Sequence, residues 1–417
     1  MKEINNFDVA VIGGGPAGMM AAGTAAQSGA RVILIEKNKQ LGKKLLLTGN
    51  GRCNLTNAEF DLKKLVENYD RAGKFLFHAF FVFGPQKTIE FFNRLGVKIK
   101  TEGCKRVFPV SEKSLEVLSV LKKYLLDNGV VVITNSPVKE IIFEDNKIKE
   151  LITASQKVAA NKYIFCTGGV SYPITGSTGD GLGWAKNAGH TISSLSPALA
   201  PIKIKDDWIK NLTGLVLNDV RISVYQNNKK YFQTRGDILC THFGLSGPVV
   251  LDISKKIGEL LSQGNVRLIL DLYPDLTLEN LDKKIQEAVS ENSKKLTKNL
   301  LADFVPARLA VVVSRRLNIS VVKSVGDITK KERRAIAEFL KNIEVAADEL
   351  LGFDLAMVTK GGVLLAEIDD KTMKSKIVSN LFFAGEIIDV DGKTGGFNLQ
   401  NCWSTGYLAG KSAASCE

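Results

Sequence analysis

The residues best suited to do chemistry stand near the start of the chain, in Gly13-x-Gly15-Pro16-Ala17-Gly18. They follow the apolar run Asp8 to Ile12 and open a small-residue stretch from Pro16 to Ser28, after which Arg31 to Glu36 is again apolar. This pattern predicts strand, glycine turn, helix and strand. In such a unit Gly13 permits the tight turn and Gly15 lets a pyrophosphate approach the backbone at the helix N-terminus. Gly18 lets the helix pack on the strand. Glu36, at the end of the second strand, can accept hydrogen bonds from an adenosine ribose and disfavours a 2′-phosphate. The chemistry indicated is dinucleotide binding.

A second glycine-rich set lies at the far end, where Phe382 to Glu386 is followed by Asp391 and by Thr394-Gly395-Gly396-Phe397-Asn398 opening a helix. A single-fold nicotinamide dehydrogenase has no need of it. A flavin dinucleotide does, because its ribityl chain and ring extend beyond the first βαβ unit. Gly385 and Glu386 are then expected along the ribityl-pyrophosphate. The amides of Gly396, Phe397 and Asn398 are expected to face the flavin N1 and C2 carbonyl, where a helix N-terminus stabilises the negative charge that reduction creates.

Three further segments join the candidate set. Cys166-Thr167-Gly168-Gly169 ends an apolar strand and reads either as a crossing back to the cofactor or as a plain strand-ending turn. Val138, after Pro137, is placed to hold adenine by main-chain contacts. Thr48 to Asn54, with Gly49 and Gly51, suits a loop packed on one flavin face, Arg52 and Asn54 included, the arginine answering a cofactor phosphate or an anionic substrate. Cys53 in that loop is a packed neutral thiol or, in the alternative reading, a redox thiol. Lys37 and Lys44 complete the candidate cofactor contacts. His242, in Thr241 to Pro248, has an active-site reading and a structural one. No side chain is singled out as a catalytic acid or base.

These residues require an α/β scaffold. Helices are expected at about 61–82, 85–95 and 113–127, a hairpin at 97–108, a strand at 130–134 and a second hairpin turning at Asp145 and Asn146. From about 190 the texture changes to short alternating strands, Val220 to Tyr225, Lys230 to Thr234, Asp237 to Cys240 and Val266 to Leu270, and then to a helical stretch. The expected division is an FAD-binding domain of 1–189 and 356–417, an inserted β-barrel-like domain of 190–275 with part of 315–355 available to complete it, and a helical subdomain of 276–350.

The 417 residues, 45% hydrophobic and 24% charged, fit a globular enzyme of two or three domains and exclude disorder. The net charge of +12 invites a nucleic-acid reading. However, the excess is scattered as single lysines and pairs, and no nucleic-acid motif accompanies it, so a solvated basic surface is expected. Six cysteines without CxxC spacing suggest reduced thiols and a cytoplasmic protein. Three separated histidines give no zinc site, and no signal peptide, transmembrane span or membrane partner is expected. The oligomeric state is not specified.

The strings Val11 to Gly18, Leu47 to Asn57, Gly176 to Gly181, Thr241 to Pro248 and Thr394 to Gln400 together resemble the bacterial NAD(P)/FAD-dependent oxidoreductase family, which includes aminoacetone oxidase-like flavoproteins and flavoproteins of bile-acid dehydroxylation. The resemblance spans nearly the whole chain. It implies a glutathione-reductase-like Rossmann FAD-binding domain interrupted by a β-barrel domain and a small helical subdomain. The implied activity is hydride transfer between FAD and a small-molecule substrate, with NADH, NADPH or oxygen as the other redox partner. The chain lacks a CxxxxC redox pair and a second GxGxxG, so a pyridine nucleotide would have to reach the flavin directly. The alternative is a flavin-containing tRNA-modifying or RNA-binding protein.

Overall fold

Residues Asp8 to Ile12 form the second half of a strand, Lys2–Ile12, flanked in parallel by Val32–Ile35 on one side and Gln156–Phe165 on the other. Val131–Ile133 extends the sheet beyond Val32–Ile35, and Leu381–Phe383 lies along the end of Gln156–Phe165, both parallel. The start of Gln156–Phe165 instead takes antiparallel Lys147–Thr153, which forms a hairpin with Val138–Glu144 through the left-handed residues Asp145 and Asn146. Parallel neighbours need crossover connections that cover the faces, which is why Val9 to Ile12 and Val32 to Ile35 are all buried rather than alternating. The computed structural model describes residues 2–415, so Cys416 lies outside the described residues.

Two helices lie against each other beside this sheet. Pro16–Gln27 starts with proline in its first turn, and Phe397–Ala414 closes the fold. They approach closely because a Cβ at Gly406 would stand 2.5 Å from the Ala17 carbonyl oxygen, and one at Gly410 would stand 2.3 Å from that of Ala21. Together with Leu62–Val66, Gly73–Val82, Pro85–Arg94 and Ser114–Asp127 they complete one compact unit, formed by the chain up to Ala198 and again from Gly352.

The second unit, Leu199–Leu351, is built on a closed six-stranded antiparallel barrel of Ile202–Ile204, Gly244–Ser246, Lys229–Cys240, Val216–Gln226, Val266–Asp271 and Ile343–Leu350. The runs 230–234 and 237–240 are one continuous strand, and the stretch expected to be helical to 350 ends at Lys341. Ile343, Val345 and Ala347 face the core and pair beside Val266 to Leu270, so tertiary pairing overrides the helix preference of Ala346 to Leu350. The helices Leu278–Glu291, Ala307–Arg316 and Lys330–Lys341 share the barrel's hydrophobic core. Pro248–Leu261 is a helix not expected from the sequence, although proline in its first turn and apolar residues at 249, 250, 253, 257 and 260 marked it. Among the described residues no helix is long and apolar enough to cross a membrane, and no cluster of metal-ligating side chains occurs.

One polar triad in the first unit, with His190 and Ser375 buried and Glu367 half-buried, has a pH consequence. His190 Nε2 lies 2.8 Å from Ser375 Oγ and Nδ1 lies 3.1 Å from Glu367 Oε2. Ser375 Oγ already accepts from the amides of Ile377 and Val378, so its hydrogen goes to Nε2 and the neutral ring donates from Nδ1 to Glu367. Burial holds His190 below its ordinary value of 6.5, against the opposing pull of Glu367. The unfolded chain therefore takes up this proton first as pH falls. The contribution is present above about pH 6.5 and is lost as pH falls through the depressed value. Thermal unfolding followed from pH 8 to pH 5 should show a steeper decline below about pH 6.5 in the native chain than in His190→Asn.

Candidate functional site

The glycine turn is fixed by two backbone approaches. Gly13, at φ +103°, would place a Cβ 2.4 Å from the Cys166 carbonyl oxygen, and a Cβ at Gly18 would fall 1.8 Å from that of Gly13. Gly15 differs. It precedes the helix Pro16–Gln27, no side chain caps that end, and a Cβ there would meet nothing within 4 Å. An open backbone at a helix N-terminus is an anion site. Glu36 is buried behind it, with Oε2 accepting from the Gly14 amide at 2.7 Å and Oε1 accepting from both the amide and the Nδ2 of Asn38 at 2.7 Å.

The cleft that begins at this turn brings together many of the candidates. Gly13, Gly15, Pro16, Ala17, Glu36, Lys37, Lys44, Val138, Thr167, Gly168 and Glu386 line it. Lys44 Nζ pairs with Glu386 Oε2 at 2.9 Å, while Glu386 Oε1 accepts from the Thr359 amide at 2.8 Å. Gly385 brings this segment in because its Cβ position lies 2.7 Å from that of Ala17. Gly169 sits against Thr359 in the same way, at 2.4 Å from the hydroxyl oxygen. Thr167 Oγ1 is buried without a protein partner. An extended dinucleotide fits this set: an uncapped helix end for pyrophosphate, a buried carboxylate for ribose hydroxyls, two lysines, and an orphaned hydroxyl on the wall.

The remaining candidates are not on that lining. In the Thr48 loop, Thr48 Oγ1 donates to the Leu45 carbonyl, and Gly49, Gly51 and Cys53 are left-handed. Arg52 lies 4.0 Å above the Phe108 ring and pairs with Glu102 at 3.2 Å and Glu112 at 3.4 Å, so these acids already neutralise it. Asn54 Oδ1 accepts from the Val107 amide. Cys53 is fully buried, and burial pushes its thiol up to about 12. A redox role is therefore disfavoured. Iodoacetamide at pH 8 should label exposed Cys104 in the native protein and leave Cys53 unmodified until denaturant is added, as peptide mass spectrometry would show.

At the other end, Gly395 and Gly396 are left-handed and Gly396 heads the helix Phe397–Ala414. Asn57 Nδ2 donates to the Gly395 carbonyl at 3.1 Å, and a Cβ at Gly396 would stand 2.4 Å from the Thr56 carbonyl, so the end of the Thr48 loop and this helix start meet. Asn398 binds the amide and carbonyl of Gly392 through its carboxamide, and the Phe397 carbonyl accepts from Tyr69 at 2.7 Å. Asp391, half-buried, precedes this turn. His242 belongs to the barrel unit, where it is exposed with its ring 4.7 Å from that of Phe243. Sequence reasoning missed Asn38, Gly176, Ser177 and Asp180, all on the cleft, although the glycines of 176 to 181 were a visible signal.

The profile described as the HI0933-like protein Rossmann domain matches residues 7–412. A 3-dehydro-bile acid delta(4,6)-reductase of Clostridium scindens is 30% identical over 412 residues, 97% of this chain and 98% of the relative. A ribosomal RNA dihydrouridine synthase of Escherichia coli is 28% identical over 406 residues, 97% of each chain. Among solved structures, the 3-ketosteroid-delta4-(5alpha)-dehydrogenase of Rhodococcus jostii matches 100% of this chain and 98% of its own with a TM-score of 0.54 at 16% identity, a likeness of fold. With the family profile spanning almost all of the sequence and a relative of equal length at 30% identity, the chain belongs to the HI0933-like Rossmann family of FAD-binding oxidoreductases.

Proposed function

We propose that this protein is an FAD-dependent reductase that saturates a C=C bond conjugated to a carbonyl in a small organic substrate, with NADH or NADPH as the electron source. The observation that carries this reading is the full-length similarity to a delta(4,6)-reductase and to dihydrouridine synthases, names that both describe an activated C=C bond and its saturated product. When bound, FAD supplies the hydride chemistry. Glu36, Lys37, Lys44, Val138, Thr167 to Gly169 and Glu386 hold the dinucleotide, with the backbone of Gly13 to Gly18 against the pyrophosphate. The amides at the helix start Gly396 to Asn398 would face the flavin ring and favour negative charge there. Thr48, Gly51, Arg52, Cys53 and Asn54 form a braced loop that joins this helix start through Thr56 and Asn57.

The sequence contains a single GxGxxG, so a pyridine nucleotide would have to reach the flavin directly. Anaerobic mixing of the FAD-loaded protein with NADH and NADPH should bleach the flavin, and a conjugated ketone should restore its colour. No bleaching by either nucleotide rejects the reading. Hydrogen peroxide release on adding an amine points instead to an oxidase.

A second reading is reduction of uracil in RNA, favoured by the dihydrouridine synthases and by the net charge of +12. Reoxidation by ribosomal RNA transcripts but not by small enones would select it, and binding that weakens steeply with salt would accompany it.

A further inference from the structure

Between Ser171 and Asp180 the chain runs along the cleft, with Thr175, Gly176, Ser177 and Asp180 on its lining. Left-handed Tyr172, Gly176 and Gly179 set its turns. Its ties run to the residues just after Glu36. Lys43 Nζ donates to the Ile174 carbonyl at 2.5 Å, and Lys37 Nζ reaches Asp180 Oδ2 at 2.8 Å and Thr178 Oγ1 at 2.5 Å. Asn38 Nδ2 donates to the Thr175 carbonyl at 3.0 Å and to Glu36 Oε1 at 2.7 Å. A Cβ at Gly176 would lie 2.4 Å from that same Nδ2, so glycine is what lets the segment come this near.

We propose that Asn38 is a positioning residue that couples the ribose-binding carboxylate of Glu36 to a strap, Tyr172–Asp180, which closes over the bound dinucleotide. The proposal rests on the FAD reading. Ammonium–carboxylate pairs open to water, such as Lys37 with Asp180, hold weakly because solvent competes for both ends. A donor to a buried carboxylate is held more firmly. One carboxamide nitrogen serving two acceptors also fixes their separation. Outward movement of the strap breaks the bond to Thr175, and displacement of Glu36 breaks the bond to its carboxylate. Ribose hydroxyls that fix Glu36 thereby favour the closed strap, and by reciprocity the closed strap slows loss of the dinucleotide.

The test uses the FAD-loaded protein and Asn38→Leu, which keeps the side-chain shape and removes both donors. Release of FAD, followed by recovery of free-flavin fluorescence after dilution, should be about tenfold faster. Hydrogen exchange in the peptide covering 170–180 should rise in the loaded variant, while exchange in the sheet strands Lys2–Ile12 and Val32–Ile35 stays native, a combination that general damage to the fold would not give. Thr178→Val, which removes the solvent-exposed hydroxyl that accepts from Lys37, should accelerate release less. Gly176→Ala, which pushes the strap away from an intact Asn38, should match Asn38→Leu and serves where that variant does not fold. Native release and exchange rates in Asn38→Leu overturn the proposal, as does a Thr178→Val effect of equal size. A native chain that takes up no FAD overturns the cofactor reading and the strap with it.

Discussion

Gly15→Val is expected to give a folded, colourless protein. A Cβ at this position meets no protein atom within 4 Å, and the residue's φ of −78° and ψ of −174° are open to valine. The cost to the apoprotein is the exchange of an acceptable helix cap for a poor one, about 1 kcal/mol. What the branched side chain fills is the space in front of the helix N-terminus, where a pyrophosphate must touch backbone amides. FAD affinity should fall by at least about 100-fold, or ~2.7 kcal/mol. Flavin fluorescence titration measures the affinity and urea unfolding the stability.

Gly18→Ala is the informative contrast. Its Cβ would lie 1.8 Å from the Gly13 carbonyl oxygen, a backbone atom that cannot swing aside, so the helix must shift off the strand. A loss of about 3 kcal/mol in stability is expected before any question of flavin arises. Retention of normal FAD binding by Gly15→Val would remove the turn from the site and with it the main structural support for the cofactor assignment.

These two glycines also show what a sequence discloses. Their roles are local: strand, turn, helix and the acid at position 36 all lie within 30 residues, so spacing alone identifies them. The Gly385–Glu386 segment was legible for a similar reason, as a strand running into glycine. Partners far along the chain were not. The acids that pair with Arg52, Glu102 and Glu112, were not legible because they are fifty and sixty positions away. Asn38 and Asp180 were invisible as cleft residues because the bonds that place them span 137 and 143 positions. In the barrel, Val216–Gln226 announced itself by alternation, whereas Ile343–Leu350 carries helix-forming residues and becomes a strand only because two neighbours, Val266–Asp271 and Ile202–Ile204, wait to pair with it.

Gln400→Leu should cost the fold about 2–4 kcal/mol, measurable as a lower urea midpoint, although leucine fills nearly the same volume. Gln400 is fully buried, and its carboxamide uses every group it has. Oε1 accepts from Thr56 Oγ1 at 2.6 Å and Thr88 Oγ1 at 3.0 Å, and Nε2 donates to the Phe83 carbonyl at 3.1 Å and to Ser404 Oγ at 2.8 Å. Thr56, Thr88 and Ser404 are themselves fully buried, so water cannot replace the lost partner. Thr88 keeps a bond to the Gly84 carbonyl and Ser404 keeps one to the Phe83 carbonyl, which sets the upper limit on the loss. Thr56 keeps only a long contact with the Asn57 carbonyl, and Thr56 is the residue against which Gly396 packs at the start of the last helix. The damage should therefore reach the amides of Gly396 to Asn398 before it reaches the glycine turn at 13–18. In the variant, FAD should still bind, more weakly, and the reduced flavin should be destabilised relative to the oxidised one, seen as a more negative midpoint potential. A variant with native stability and native potential would separate this polar hub from the helix start it is argued to hold.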